Sequence, residues 1–144
     1  MNGSARAMVI DDAPDIRRLF DLVLSISGYS VVLSASGAEA LRRLGQEPLP
    51  DVVILDVEMP ELDGWETLKR LRADPTTKHL PVILCTVRNM VDDNLRAWTL
   101  GCDGYVTKPL DPDALVSQVR QVLSRDPAQR STLREKRISH LSGS

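Results

Sequence analysis

Five side chains in this sequence could do chemistry together: Asp11, Asp12, Asp56, Thr86 and Lys108. Each ends or directly follows a short apolar run of the kind that forms a buried strand. The set holds three carboxylates, one hydroxyl and one amine. Two unit charges about 4 Å apart repel by about 4 kcal/mol at an effective dielectric of about 20, so three acids in one cleft are a poor structural device. They become favourable around a hard divalent cation. Mg²⁺ prefers oxygen ligands, keeps several waters, and usually takes one or two protein carboxylates plus a phosphate oxygen. The residue types therefore predict a Mg²⁺ site built to receive a phosphoryl group.

Taken singly, each residue has a plainer reading. Asp11-Asp12 also suits a helix cap before Pro14, and Asp56 an ordinary turn at a strand end. Thr86 alone reads as a turn or strand hydroxyl, and Lys108 as a solvated charge. Their joint position at the ends of four strands of one sheet favours chemistry. Rival phosphate chemistry has no support, because neither a GxxxxGK[ST] loop nor a GxGxxG turn occurs. Nor is there a nucleophile and histidine pair, since His79 precedes a strand and His140 lies in the tail.

The elements that must position these residues are legible as apolar runs at 7–10, 30–33, 52–55, 81–85 and 104–106, with helical patterns between them. Pro14 suits the first turn of a helix that would bury Ile16, Leu19, Phe20, Val23 and Ile26 before Gly28 ends it. Ser36-Gly37-Ala38-Glu39 predicts a capping box opening a second helix that buries Leu41 and Leu44. A third carries Trp65, Leu68 and Leu71, a fourth Val91, Leu95 and Trp98, and a fifth, after Asp111-Pro112, Leu115, Val119 and Val122. Five βα units predict an open, doubly wound parallel sheet with its ligand site at the carboxyl ends of the strands. After Ser124 the core pattern stops, and Asp126-Pro127 leads into a polar, basic tail, read as a linker helix or as partly disordered.

Four segments then carry a resemblance: Val9-Ile10-Asp11-Asp12; Ile54-Leu55-Asp56-Val57-Glu58-Met59-Pro60 with Asp63-Gly64; Pro81-Val82-Ile83-Leu84-Cys85-Thr86; and Gly101-Cys102-Asp103-Gly104-Tyr105-Val106-Thr107-Lys108-Pro109. In order and spacing they resemble the receiver domains of two-component response regulators, over about residues 6 to 125. The resemblance implies a flavodoxin-like α/β fold, a five-stranded parallel sheet of order 2-1-3-4-5 with five helices. Residues 1–125 would form the receiver domain and 126–144 a tail or linker to an output domain. It also implies that Asp56 accepts a phosphoryl group from a histidine kinase or phosphotransfer protein. Asp12, Asp56 and the Glu58 carbonyl would bind Mg²⁺ directly and Asp11 mainly through a water, while Lys108 and Thr86 hold phosphoryl oxygens. Thr86 and Tyr105 would form the switch, Tyr105 rotating inward to remodel the fourth helix, fifth strand and fifth helix for a partner or for homodimerisation. Such a protein is a signalling switch that catalyses its own phosphorylation and slow dephosphorylation. The Lys108–Pro109 peptide is expected to be cis, aiming Lys108 into the cleft.

Two positions depart from the family pattern. Val87 stands where alanine or glycine is common, and Glu58 and Arg88, an opposite-charge pair able to meet across the mouth, occupy the two positions that line the water path in family members. Other functions fit less well: a phosphorylation-independent binding module would not need the complete acidic set, and a haloacid-dehalogenase-like phosphatase would want Asp where Glu58 stands.

Composition sets the remaining bounds. The 144 residues suit one domain, and 42% hydrophobic with 26% charged residues is ordinary for a folded protein. A net charge of −2 gives no electrostatic case for nucleic-acid or membrane binding by this domain. The N-terminal residues lack a secretory pattern, so the expected compartment is the cytoplasm. Cys85 and Cys102 have no metal-ligand spacing and read as small buried apolar residues.

Overall fold

The computed structural model describes residues 5–87 and 91–143. Eleven elements run in the order β1 (Arg6–Ile10), α1 (Pro14–Ile26), β2 (Ser30–Ser34), α2 (Gly37–Leu44), β3 (Val52–Asp56), α3 (Gly64–Ala73), β4 (Val82–Thr86), α4 (Val91–Thr99), β5 (Gly104–Thr107), α5 (Pro112–Leu123) and α6 (Pro127–Ser142). The strands form one parallel sheet of order β2-β1-β3-β4-β5. The sheet order is the one expected from the sequence. Every residue of β3 and β4 is buried. That accounts for their unbroken apolar runs, because a central parallel strand is covered on both faces.

Alternate strand residues face opposite layers. Ala7, Val9, Val52, Ile54, Ile83, Cys85 and Val106 pack against Phe20 and Leu24 of α1 and Leu115, Val119 and Val122 of α5. Met8, Ile10, Val53, Leu55, Val82 and Leu84 pack on the other face against α2, α3 and α4 through Leu44, Trp65, Leu68, Leu71, Ala97 and Trp98. Cys85 and Cys102 are buried thiols on opposite faces, and burial pushes the Cys85 thiol up to about 12.

Four sequence expectations need correction. The count of five helices is one short, because residues in the expected tail form α6. The Asp126 side chain accepts from Gln129 N at 2.8 Å, and the Gln129 side chain accepts from Asp126 N at 2.9 Å. Pro127 sits in the first turn, and Gly143, at φ 76°, closes the far end. On α1, Leu19 and Ile26 are exposed rather than buried, the latter 77% so. Phe20 and Leu24 take the core-facing arc, and at 3.6 residues per turn Leu19, Leu22 and Ile26 form a second stripe on the solvent side. Val91 likewise points to solvent while Ala97 and Trp98 are buried. The capping box of α2 is half formed, since Ser36 Oγ accepts from Glu39 N but the Glu39 carboxylate accepts from Ser34 Oγ instead.

The bend from β3 into α3 is set by close backbone approach. A Cβ on Gly64 would lie 2.4 Å from the Asp56 carbonyl oxygen and 2.6 Å from Val57 Cα. Asp63 caps the helix that starts there, its carboxylate accepting from Glu66 N at 2.9 Å. Glycine is thus required beside Asp56 by space. Gly64→Ala is expected to lower unfolding free energy by about 2–3 kcal/mol, the cost of overpacking a tight interior. Urea denaturation checks this; a loss below about 0.5 kcal/mol would mean the turn relaxes without cost.

Candidate functional site

Parallel strand order delivers the predicted residues to one edge of the sheet. Asp11 follows β1, Asp56 ends β3, Thr86 ends β4, and Lys108 follows β5 with its N–H still donating to the Thr86 carbonyl at 2.8 Å. The Lys108–Pro109 peptide is cis, as expected from the sequence. Carboxylate oxygens of Asp11, Asp12 and Asp56 lie within 4.8 Å of one another. Asp11 and Asp56 are buried, and Asp12 is exposed at the mouth.

Lys108 reaches into this cluster. Its Nζ donates to Asp56 Oδ1 at 2.9 Å and to Asp11 Oδ2 at 3.3 Å. Burial pushes the Asp56 carboxyl up to about 6, reinforced by the nearby Asp11 and Glu58 charges, although Lys108 pulls the other way. Burial also opposes charge on Lys108, but Asp56 and Asp11 outweigh it and raise the amine's pKa. One ammonium thus serves two buried carboxylates, with a third at the mouth.

Asp11 braces the entry to α1 and also faces the cleft. Its Oδ1 accepts from Ala13 N at 2.9 Å at the entry to α1, and its Oδ2 faces Lys108. Arg17, from the first turns of α1, donates to the Asp11 carbonyl at 2.7 Å and steadies the same loop. Sequence reading missed Arg17, because only the angle at which α1 enters makes position 17 a neighbour of position 11.

Thr86 and Glu58 form the opposite wall. The fully buried Thr86 donates its hydroxyl to Glu58 Oε2 at 2.6 Å, and Val87 N donates to Glu58 Oε1 at 3.3 Å. No local pattern signals that the Glu58 side chain reaches Thr86, since the two lie 28 positions apart. Arg88, the expected partner of Glu58, lies outside the described residues. Val87 is 63% exposed at the rim. Tyr105 is half-buried on β5, packed against the layer that contains Trp98 and Ala97.

Comparison with known proteins agrees with this geometry. The family model for the response regulator receiver domain matches residues 7–120. The response regulator Rre1 of Synechocystis is 39% identical over 122 residues, covering 84% of this chain and 52% of that protein. The regulator RpaA of Synechocystis, described as a DNA-binding dual master transcriptional regulator, is 33% identical over 83% of this chain and 49% of its own length. The chain thus spans about half the length of these curated relatives. Among solved structures, the chemotaxis protein CheY4 of Vibrio cholerae superimposes with a TM-score of 0.78 at 29% identity, covering 83% of this chain and 99% of that one. A response regulator receiver domain from Clostridium thermocellum gives 0.77 at 30% identity, with 84% and 95% coverage. Five parallel strands in this order, the acidic cluster with its lysine, and the family match together make the chain a member of the response regulator receiver domain family.

Proposed function

We propose that Asp56 accepts a phosphoryl group from the phosphohistidine of a sensor kinase or phosphotransfer protein, and that this modification is the protein's signal. The observation that carries the reading is the Asp11, Asp12 and Asp56 cluster with Lys108 Nζ held 2.9 Å from Asp56. The clustered oxygens fit Mg²⁺, a hard cation that takes such donors. Asp12, Asp56 and the Glu58 carbonyl would hold it, with Asp11 acting through a water. When bound, it offsets negative charge on carboxylate and phosphoryl group alike.

In the transfer, an Asp56 carboxylate oxygen attacks phosphorus in line with the leaving imidazole. The P–O bond forms as the P–N bond breaks, and the imidazole nitrogen keeps the electron pair. Lys108, already beside the nucleophile, turns to a phosphoryl oxygen with a charge-assisted hydrogen bond. The Thr86 hydroxyl takes another oxygen by exchanging Glu58 for the phosphoryl group. Tyr105 then moves inward, and the surface of α4, β5 and α5 changes for a partner, an output domain or a second copy. We place the receiver domain at residues 1–125 and the linker at 126–144, and the compartment in the cytoplasm; among the described residues no helix is long and apolar enough to cross a membrane.

Asp56→Asn is expected to abolish labelling by acetyl phosphate, and EDTA to abolish it in the unsubstituted protein, both read by intact mass. An adduct on the Asn variant would move the acceptor elsewhere.

Removing the competing acceptor should speed the reaction. Glu58→Ala is expected to raise the initial labelling rate several-fold, since it removes both a hydrogen-bond partner of Thr86 and a negative charge facing an anionic donor. A rate equal to or below the unsubstituted protein's would show that the Thr86–Glu58 bond does not oppose transfer.

The last expectation concerns pH. The folded-state pKa of Asp56 is about 6 against an ordinary 3.8, so the folded protein binds this proton more tightly than the unfolded chain. That contribution is fully present below the unfolded value and is lost as pH rises through the folded one. In EDTA, Asp56→Asn should therefore gain stability relative to the unsubstituted protein between about pH 4 and pH 7, by about 1–3 kcal/mol in all. Paired urea titrations across that range test it, and a pH-independent difference between the two proteins would refute it.

A further inference from the structure

The face that the proposed switch would remodel is already covered by the protein's own α6. This helix packs along α4 and is held at several points. Arg130, 9% exposed in its side chain, donates to the His79 carbonyl at 2.8 Å and the Arg125 carbonyl at 3.0 Å, with its Nε 3.4 Å from Asp103 Oδ1. Arg134 donates to the same Asp103 oxygen. The other Asp103 oxygen accepts from Arg72 Nη2 at 2.9 Å and Val82 N at 3.0 Å. Further along, the Arg137 guanidinium lies 5.7 Å from the centre of the Trp98 ring, and Ile138 and Leu141 pack onto the layer that includes Ala97, Trp98 and Tyr105.

Two features suit this helix to leave. Its apolar seam is short, with Leu133, Ile138 and Leu141 only partly buried and most other positions exposed. Its anchor is one carboxylate shared by three guanidiniums, so displacing α6 removes two like charges from around Arg72 and leaves Asp103 still paired with Arg72 and Val82 N. A groove of about 610 Å³ between α4, β5 and α5 is walled by Tyr105 and Trp98 together with Leu133 and Arg137 of α6. Tyr105 and α6 therefore share one packing space. A movement of Tyr105 changes the wall on which α6 rests.

We propose that α6 is a displaceable cover of the α4 face, docked in the unmodified protein and released when Asp56 is phosphorylated. The inference rests on Asp56 being the phosphoryl acceptor. By reciprocity, release of α6 by other means must favour phosphorylation, because coupled equilibria act equally in both directions. A helix of 16 residues is marginal in water on its own, so the undocked segment also loses its helical hydrogen bonds.

The test is amide hydrogen exchange on the full chain, before and after treatment with acetyl phosphate and Mg²⁺, with intact mass taken on the same samples. Exchange across residues 130–142 is expected to rise at least ten-fold in the singly phosphorylated protein. Arg134→Ala, and separately the milder Leu141→Ser, should raise α6 exchange in unmodified protein and tighten equilibrium binding of the phosphoryl mimic beryllofluoride, with Mg²⁺, by about two- to five-fold. Protection of β1 and β3 in each variant shows that the domain is still folded. A full adduct with α6 protection unchanged or increased would overturn the cover and leave the acceptor assignment standing. Variants whose α6 is loosened but whose beryllofluoride affinity does not rise would overturn the coupling. Absence of any adduct on the unsubstituted protein would overturn both readings.

Discussion

The contact on which the site depends is the Lys108 ammonium lodged between Asp56 and Asp11. Two buried carboxylates on neighbouring strand ends repel, and burial removes the water that would screen them. One amine compensates part of that charge, with the Asp12 carboxylate close at the exposed mouth. Burial first, and then the neighbouring negative charges, raise the pKa of Asp56. On the proposed reading, such a cleft would gain by taking up a divalent cation, and its lysine would turn from carboxylate to phosphoryl oxygen. The surrounding fold serves the same contact. The order β2-β1-β3-β4-β5 puts β1 beside β3, so Asp11 and Asp56 must meet, and β5 beside β4, so that Lys108 lies next to Thr86.

The two walls of the cleft differ in kind. On the β1–β3 side the groups are ionised or ionisable and respond to charge. On the β4 side the neutral Thr86 hydroxyl is engaged by Glu58, whose carboxylate also accepts from Val87 N. A phosphoryl group arriving at Asp56 would meet both walls at once, a ready ammonium and an engaged hydroxyl. On the proposed reading the first would promote transfer and the second would be a contact that has to change, which is the requirement for a modification to shift a conformational equilibrium.

Much of this was legible in the sequence because it follows from periodicity along single segments. The apolar runs marked all five strands within a residue or two, and chemistry-bearing residues at their ends marked the edge where the site lies. What escaped reading depends on pairings between distant positions. The α1 pattern offered Ile16, Leu19, Phe20, Val23 and Ile26 as one face, but α1 carries two apolar stripes and only docking selects the Phe20 and Leu24 arc. The tail showed a polar composition with Leu133, Ile138 and Leu141, which permits a helix; it could not show that Arg130 and Arg134 find a buried Asp103 far earlier in the chain, 31 positions before Arg134. For Glu58 the sequence suggests a carbonyl role and a pairing with Arg88; that its side chain accepts from Thr86 depends on a contact between positions 28 apart.

Asp103 also shows how the two ends of the β4–β5 pair differ. At the carboxyl end, three acids gather round one ammonium; at the amino end, three guanidiniums gather round one carboxylate that accepts from the first N–H of β4. Strands of four and five residues separate the two clusters, a distance of about 13–17 Å at the usual rise per residue. Each cluster has its excess charge in the sense opposite to the other. Between them run β4, fully buried, and β5, which carries Tyr105 on the layer that α4 and α6 cover. On the proposal that α6 responds to Asp56, this strand pair would be the physical link, since Thr86 at one end and Val82, whose N–H donates to Asp103, at the other belong to the same strand. The α6 helix is fastened at the end of that ladder away from Asp56, where, on the proposed reading, it would respond to the site without obstructing the approach of a phosphoryl donor.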